Sequence, residues 1–111
     1  MNKLNILWTC GEKDVAMRMI FIYVMDSKAM GWWDEIDLII WGPSAKLAGE
    51  DLAIRKELDY IMQSGIKVEA CKGCADSYNV SAVLEEMGIT VRYMGESLTK
   101  LLKSDEKLVT F

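Results

Sequence analysis

Apolar positions along the chain fall into short runs of strand length separated by longer stretches with helical spacing. The short runs are Leu4–Thr9 (LNILWT), Ile36–Trp41 (IDLIIW), Ile66–Cys71 (IKVEAC), Ile89–Met94 (ITVRYM) and, smaller, Leu108–Phe111. Period-two alternation is clearest in the third, where Val68 and Ala70 alternate with Lys67 and Glu69. The second alternates too little for a one-sided sheet, which suits a parallel strand covered on both faces. Between the strands, Asp14–Met30 predicts a helix with apolar positions at Val15, Met19, Ile22 and Met30, and Gly31 stands where a closing glycine belongs. Ser44–Gln63 predicts a second helical region, surest at Ile54, Leu58, Ile61 and Met62. Glu50 and Asp51 precede its surest part, as the helix dipole favours. A short helix holds Val83, Leu84 and Met87, capped by Asn79 or Ser81 and closed by Gly88; Ser97–Lys103 gives a last one with Leu98, Leu101 and Leu102 inward. Five β segments alternating with four α segments predict one domain over residues 1–111: a three-layer α/β/α architecture with a largely parallel five-stranded sheet and right-handed crossovers.

The first helix departs from an ordinary amphipathic pattern. Val15–Met25 reads VAMRMIFIYVM, with Arg18 the only charge in eleven residues, so its apolar surface is too broad for a single stripe. That run is far shorter than the roughly 20 residues of a bilayer-crossing helix, and no membrane span is expected. A sheet covers only one side of a helix, so either Met17, Phe21 and Val24 or the residues opposite them need a second cover. A homo-oligomer supplies one; the alternative is the second helical region of the same chain. Trp32 and Trp33 follow the helix and either fill the gap to the next strand or anchor an interface.

Charge and composition narrow the classes of function. A formal charge of −4 and a pI near 4.8 leave no basic stripe for phosphates, so nucleic acid, anionic membrane and acidic partners are not expected. The N-terminal segment has no small-residue cleavage site and serves better as a strand than as an export signal. Three cysteines are an odd number without secretory context, which points to reduced thiols and a cytoplasmic location. With no histidine in the chain, imidazole acid–base chemistry is excluded. The lone glycines after the first two strands form no phosphate-binding loop, and no cofactor is expected. Ser44, after Gly42-Pro43, reads as a helix cap rather than a nucleophile.

The remaining chemistry lies in the thiols. Cys71 and Cys74 form a CxxC, Cys71-Lys72-Gly73-Cys74, at a strand-to-helix junction, the edge at which parallel α/β sheets place ligands. Helix-start amides and Lys72 both favour thiolate there, and a thiolate can attack a disulfide or persulfide that the second thiol then resolves. Small apolar packing is the bland use of such cysteines. A zinc site needs four ligands, so carboxylates or a second subunit would have to complete it, and no metal is expected. Thioredoxin-type exchange fits less well, since the motif follows the third strand rather than an early one. Cys10 also ends a strand and approaches Cys71 only if strands one and three are neighbours.

Together the segments DLIIWGPSAKLAGED, GIKVEACKGCA and MGITVRYMGESLTKLL resemble the DsrE/DsrF-like family of small sulfur-relay proteins, over essentially the whole chain. The resemblance implies a DsrE-like fold of flavodoxin-like appearance and sulfane sulfur carried as a persulfide on Cys71. It also implies a trimer or hexamer and a sulfur-carrier protein as partner. Cys74 is not part of the general relay pattern. Three functions stay open: a persulfide carrier or sulfurtransferase subunit at Cys71, a dithiol redox protein using Cys71 and Cys74, and a non-catalytic ligand-binding or assembly module.

Overall fold

The five apolar runs become five strands in a computed structural model that describes residues 2–111. They are β1 (Lys3–Trp8), β2 (Glu35–Ile40), β3 (Lys67–Cys71), β4 (Thr90–Arg92) and β5 (Lys107–Thr110). Their order is β4-β3-β2-β1-β5 and every pairing is parallel. β2 therefore lies between β1 and β3, so the adjacency that would bring Cys10 to Cys71 is absent. The chain steps outward from β1 to β4, and then crosses the whole sheet to place β5 on the far side of β1.

That topology divides the two faces of the sheet unequally. On one face Leu4, Ile6, Trp8, Ile36, Leu38, Ile40, Val68 and Ala70 form the main core with helix residues such as Ile20, Val24, Ile54, Leu58, Ile61 and Leu84. Each large apolar side chain sealed there contributes about 1.5–3 kcal/mol. The other face carries only a small apolar cluster of Ile39, Cys71 and Met94, with Leu7, Trp41, Cys74 and Leu101 packed beside it. The rest of that face bears Asn5, Asp37, Lys67 and Glu69, following the alternation along each strand. Strand β2 is thus apolar on the core side and mixed on the other.

Helix α1 opens at Lys13–Val15, passes through a π turn at Ala16–Ile20 and continues as Phe21–Met30, closed by left-handed Gly31. Its buried positions are Ala16, Ile20, Phe21, Val24 and Ser27. Of the expected stripe, Val15 packs against the core, but Met19, Ile22 and Met30 form the outer side, each more than half exposed. The sheet-facing set includes the small Ala16 and Ser27, so counting large apolar side chains selected the wrong side. Trp33 packs against the core, and Trp32 stands exposed beside Tyr23 with ring centroids 6.0 Å apart.

The expected second helical region is two helices, α2 (Pro43–Glu50) and α3 (Leu52–Gln63). Asp51 separates them in extended conformation, and its Oδ1 accepts the Ile54 N–H at 3.0 Å, so the acid caps a helix instead of lying inside one. Ser44 is no cap. Its hydroxyl donates to the Trp8 and Trp41 carbonyls at 2.5 and 3.1 Å, fastening the ends of β1 and β2 together. Past β3 come α4 (Lys72–Ser77) and α5 (Ser81–Glu86), whose cap position is Val80 rather than Asn79 or Ser81. Asn79 takes a positive φ of 58° in the intervening turn, and the Ser81 hydroxyl donates to Asp76. Helix α6 (Gly95–Lys103) covers the second face through Met94 and Leu101, with no fully buried residue of its own, and Leu102 points to solvent. Among the described residues no helix is long and apolar enough to cross a membrane.

Candidate functional site

Cys71 ends β3 and is the residue from which α4 departs. Alternation along Lys67–Cys71 puts its side chain on the face of Lys67 and Glu69, the thinly covered one. There it packs among Ile39, Met94, Leu7, Trp41 and Leu101, and only 9% of the residue is exposed. No first-turn amide of α4 donates to its thiol. A Cβ placed on Gly73 would lie 4.0 Å from Cys71 Sγ, with nothing closer, so the absent side chain keeps that approach to the sulfur open.

Cys74 lies in the first turn of α4, half-buried between the two apolar clusters. The Gly42 N–H donates to its Sγ at 3.1 Å. Gly42 has φ of 69°, a left-handed conformation that a side chain would strain, so the turn after β2 is shaped to aim that amide at the sulfur. Burial pushes the Cys74 thiol up; the Gly42 hydrogen bond opposes this, and the neighbouring Cys71 thiol adds to it. At neutral pH Cys74 is therefore a thiol rather than a thiolate. Its alkylation by iodoacetamide in Cys10→Ser/Cys71→Ser protein is expected to run slower than that of a free cysteine, with a rate still climbing above about pH 8.5. A plateau at or below that pH overturns the assignment.

Lys72 does not reach toward the thiols. Its Nζ pairs with Asp76 at 3.2 Å and sits 6.0 Å from the Tyr93 ring centroid, and the Asp76 partner raises its pKa. The cation that accompanies Cys71 is Arg92, its register partner on β4. Arg92 Nη2 donates to both Glu69 oxygens at 3.0 and 3.2 Å, and Nη1 donates to Ser97 Oγ at 2.6 Å. Glu69 is nearly sealed, with 5% of its side chain exposed, and also meets Lys67 at 3.0 Å. Burial pushes the Glu69 carboxyl up, but Lys67 and Arg92 outweigh it and hold the group below the ordinary carboxylate range. Sequence reasoning passed over Glu69 and Arg92; an acid on a largely buried strand and an arginine three residues after Ile89 were the available signals.

Cys10 belongs to a different hollow of about 600 Å³, lined also by Glu12, Pro43, Lys46, Leu47 and Asp51. The Glu12 N–H donates to its sulfur at 3.4 Å. The structure thus brings Cys71 and Cys74 together and sets Cys10 apart.

No family model matches the chain, and no curated protein does. Solved structures do, among them the following two. The ychN protein from E. coli is 18% identical with a TM-score of 0.68, the alignment covering the whole of both chains, and it has the DsrE-like fold. A conserved protein of unknown function from Bacteroides thetaiotaomicron, BT1422, is 43% identical with a TM-score of 0.96, over 99% of this chain and 95% of that one. A five-stranded parallel sheet of DsrE-like architecture and this degree of identity along nearly the full length of both chains mean that the protein belongs to the family of BT1422.

Proposed function

We propose that the protein accepts and holds sulfane sulfur on Cys71, as a persulfide carrier or sulfurtransferase subunit of the DsrE/DsrF type working in the cytoplasm, with a sulfur-carrier protein as its partner. The observation that supports this most is the setting of Cys71: a thiol at the end of a central parallel strand, packed among apolar side chains, beside an arginine fixed by two partners. In loading, the Cys71 thiolate attacks a sulfane sulfur of a polysulfide. An S–S bond forms to Cys71, one S–S bond of the polysulfide breaks, and the shortened polysulfide leaves with the electron pair. The apolar surroundings shield the product from competing thiols, while Arg92 lies on the side where the persulfide's negative charge develops.

The dithiol alternative has support in the proximity of Cys74. A Cys71–Cys74 disulfide would compete with persulfide storage, whereas a Cys74 kept protonated by burial attacks a neighbouring persulfide slowly. Treating the reduced protein with inorganic polysulfide and mapping adducts by mass spectrometry decides. We expect a gain of about 32 Da, one sulfur atom, on Cys71 in the native protein and in Cys74→Ser, and none at that peptide in Cys71→Ser. Total loading unchanged in Cys71→Ser overturns the carrier reading, and loading lost in both variants makes the pair one redox unit.

Self-association belongs to the same proposal. The outer side of α1 presents Met19 and Ile22 about half exposed, with Tyr23 and Trp32 beside them, a contiguous apolar patch of the kind that marks subunit contacts. A second copy applied to this side completes the cover that one sheet cannot give, in a trimer or hexamer.

A further inference from the structure

Beside the Cys71 cluster, the open face and α6 enclose a groove of about 390 Å³. Lys100 on its α6 rim is paired with Glu96 at 3.3 Å, and the other charges are segregated. Toward β4, one carboxylate, Glu69, lies between two cations, with Lys67 Nζ and Arg92 Nη2 each 3.0 Å away. Toward β5, one ammonium, Lys3, lies between two carboxylates, Asp37 at 3.1 Å and Glu106 at 3.4 Å. The first group sums to +1 and the second to −1. Asp37 and Lys67 are register partners, yet each turns to its own group. Neighbouring strands lie about 4.8 Å apart, so the two groups of opposite net charge stand side by side along the floor of the groove. Both groups are ion-paired internally: the partners of Glu69 hold its carboxyl low, and Asp37 and Glu106 raise the Lys3 pKa against the opposing effect of burial. Adjacent groups of opposite net charge are complementary to a zwitterion, and to neither an anion nor a cation alone.

The groove and the thiol share a wall. Ile39, Met94 and Leu101 line the groove and also pack in the cluster that contains Cys71. Two of the three come from α6 and the residue preceding it, and this helix buries none of its own residues completely. A side chain rising from a ligand in the groove is therefore separated from Cys71 only by these apolar side chains, and reaches the sulfur when Met94 and Leu101 are displaced together with α6.

We infer that the groove binds a thiol-bearing zwitterion of amino-acid size, cysteine or a close analogue, with its carboxylate toward Lys67 and Arg92 and its ammonium toward Asp37 and Glu106. Resting on the persulfide reading above, this thiol is the acceptor of the sulfur held on Cys71. Its thiolate attacks the outer sulfur of the Cys71 persulfide, a new S–S bond forms as the bond to Cys71 breaks, and Cys71 leaves as a thiolate that takes up a proton from water. Sulfur is conserved, and no oxidant or reductant is consumed.

Two measurements test the inference separately. S-methylcysteine, a zwitterion with no free thiol, is titrated into Cys71→Ser protein by NMR, alongside its methyl ester, which lacks the carboxylate charge, and its N-acetyl derivative, which lacks the ammonium. The zwitterion is expected to bind about tenfold more tightly than either analogue, and Lys67→Gln, which cancels the +1 of its group while Arg92 still holds Glu69, is expected to erase the preference over the ester. Equal affinities for the three compounds, or no chemical-shift change at millimolar concentration, overturn the site. This arm does not require persulfide chemistry, so it stands even where Cys71 fails to load. In the second measurement, persulfide-loaded native protein is discharged by cysteine, cysteamine and mercaptoacetate. Cysteine is expected to be about tenfold faster at equal thiolate concentration, and equal rates overturn the acceptor role.

Discussion

Phe21→Glu is expected to abolish the folded state rather than split an oligomer. Phe21 is 3% exposed and meets Trp8, itself fully buried, edge to face at 5.3 Å between centroids and 81° between planes. Truncating such a phenylalanine costs about 3–5 kcal/mol, and a carboxyl left there without a partner adds the cost of a buried polar group or unpaired charge. The total reaches the 5–15 kcal/mol that stabilises a typical domain. Circular dichroism should therefore show no cooperative melting transition for this variant; a native-like melt means that Phe21 is not a core residue. Ile22→Glu is the matched control. Its side chain lies on the outer side of α1, 51% exposed, so folding should survive, and light scattering should show the proposed oligomer falling to a mass near 12.6 kDa. A native protein already at that mass, or a variant that stays assembled, removes α1 as the subunit contact.

The contrast between these adjacent residues shows what was legible in the fold. Strand positions were readable because period two leaves little choice within a strand: Leu4 and Ile6, Ile36 and Leu38, and Val68 and Ala70 each had to share a face. Helix α1 offered no such constraint. With Met17, Ile20, Phe21, Ile22, Tyr23 and Val24 nearly continuous, every side looked apolar, and the side that packs is marked by the small Ala16 and Ser27 as much as by large residues. The π turn at Ala16–Ile20 further removes a fixed 3.6-residue period from the run. The break at Asp51 was missed for a related reason. An acid near a helix start and an acid that caps one look alike in a periodic count, and only the extended backbone at Asp51 distinguishes them.

The site was half legible. A CxxC at the end of a strand is visible from the sequence, and the alternation in KVEAC already put Cys71 on the same side as Lys67 and Glu69. That this side would be the thin one required the strand order, because only the long return from β4 to β5 leaves a single short helix to cover it. The pairing of Arg92 with Glu69 crosses 23 positions and depends on the register of β3 with β4, which no local pattern encodes. Lys72 was misleading for the opposite reason: it is adjacent in sequence to Cys71, but Asp76, one helical turn on, is the better partner for its ammonium.

Gly49→Ala should lower stability by about 1–3 kcal/mol or more, despite the gain in helix propensity that alanine brings. Gly49 lies on α2 facing Val80, and a Cβ added there would collide with Val80 Cβ and stand 2.5 Å from its Cγ1. Val80 is 4% exposed and packed in the main core at the start of α5, and the colliding Cβ is fixed to its backbone, so the helices must separate. Pairing the change with Val80→Ala is informative. That substitution removes Cγ1 and Cγ2 but leaves Cβ, the atom most directly in the way, so urea denaturation should find the double variant still well below the native protein; full recovery means that the branched atoms alone set the spacing. The strain also bears on the thiols. Helix α2 begins at the Gly42 turn whose amide holds Cys74, and a displaced α2 loosens that hydrogen bond and opens the half-buried sulfur to solvent. Cys74 alkylation in Gly49→Ala should therefore accelerate relative to the native protein, while an unchanged rate would show that the Gly42 turn is anchored independently, through Ser44 and the ends of β1 and β2.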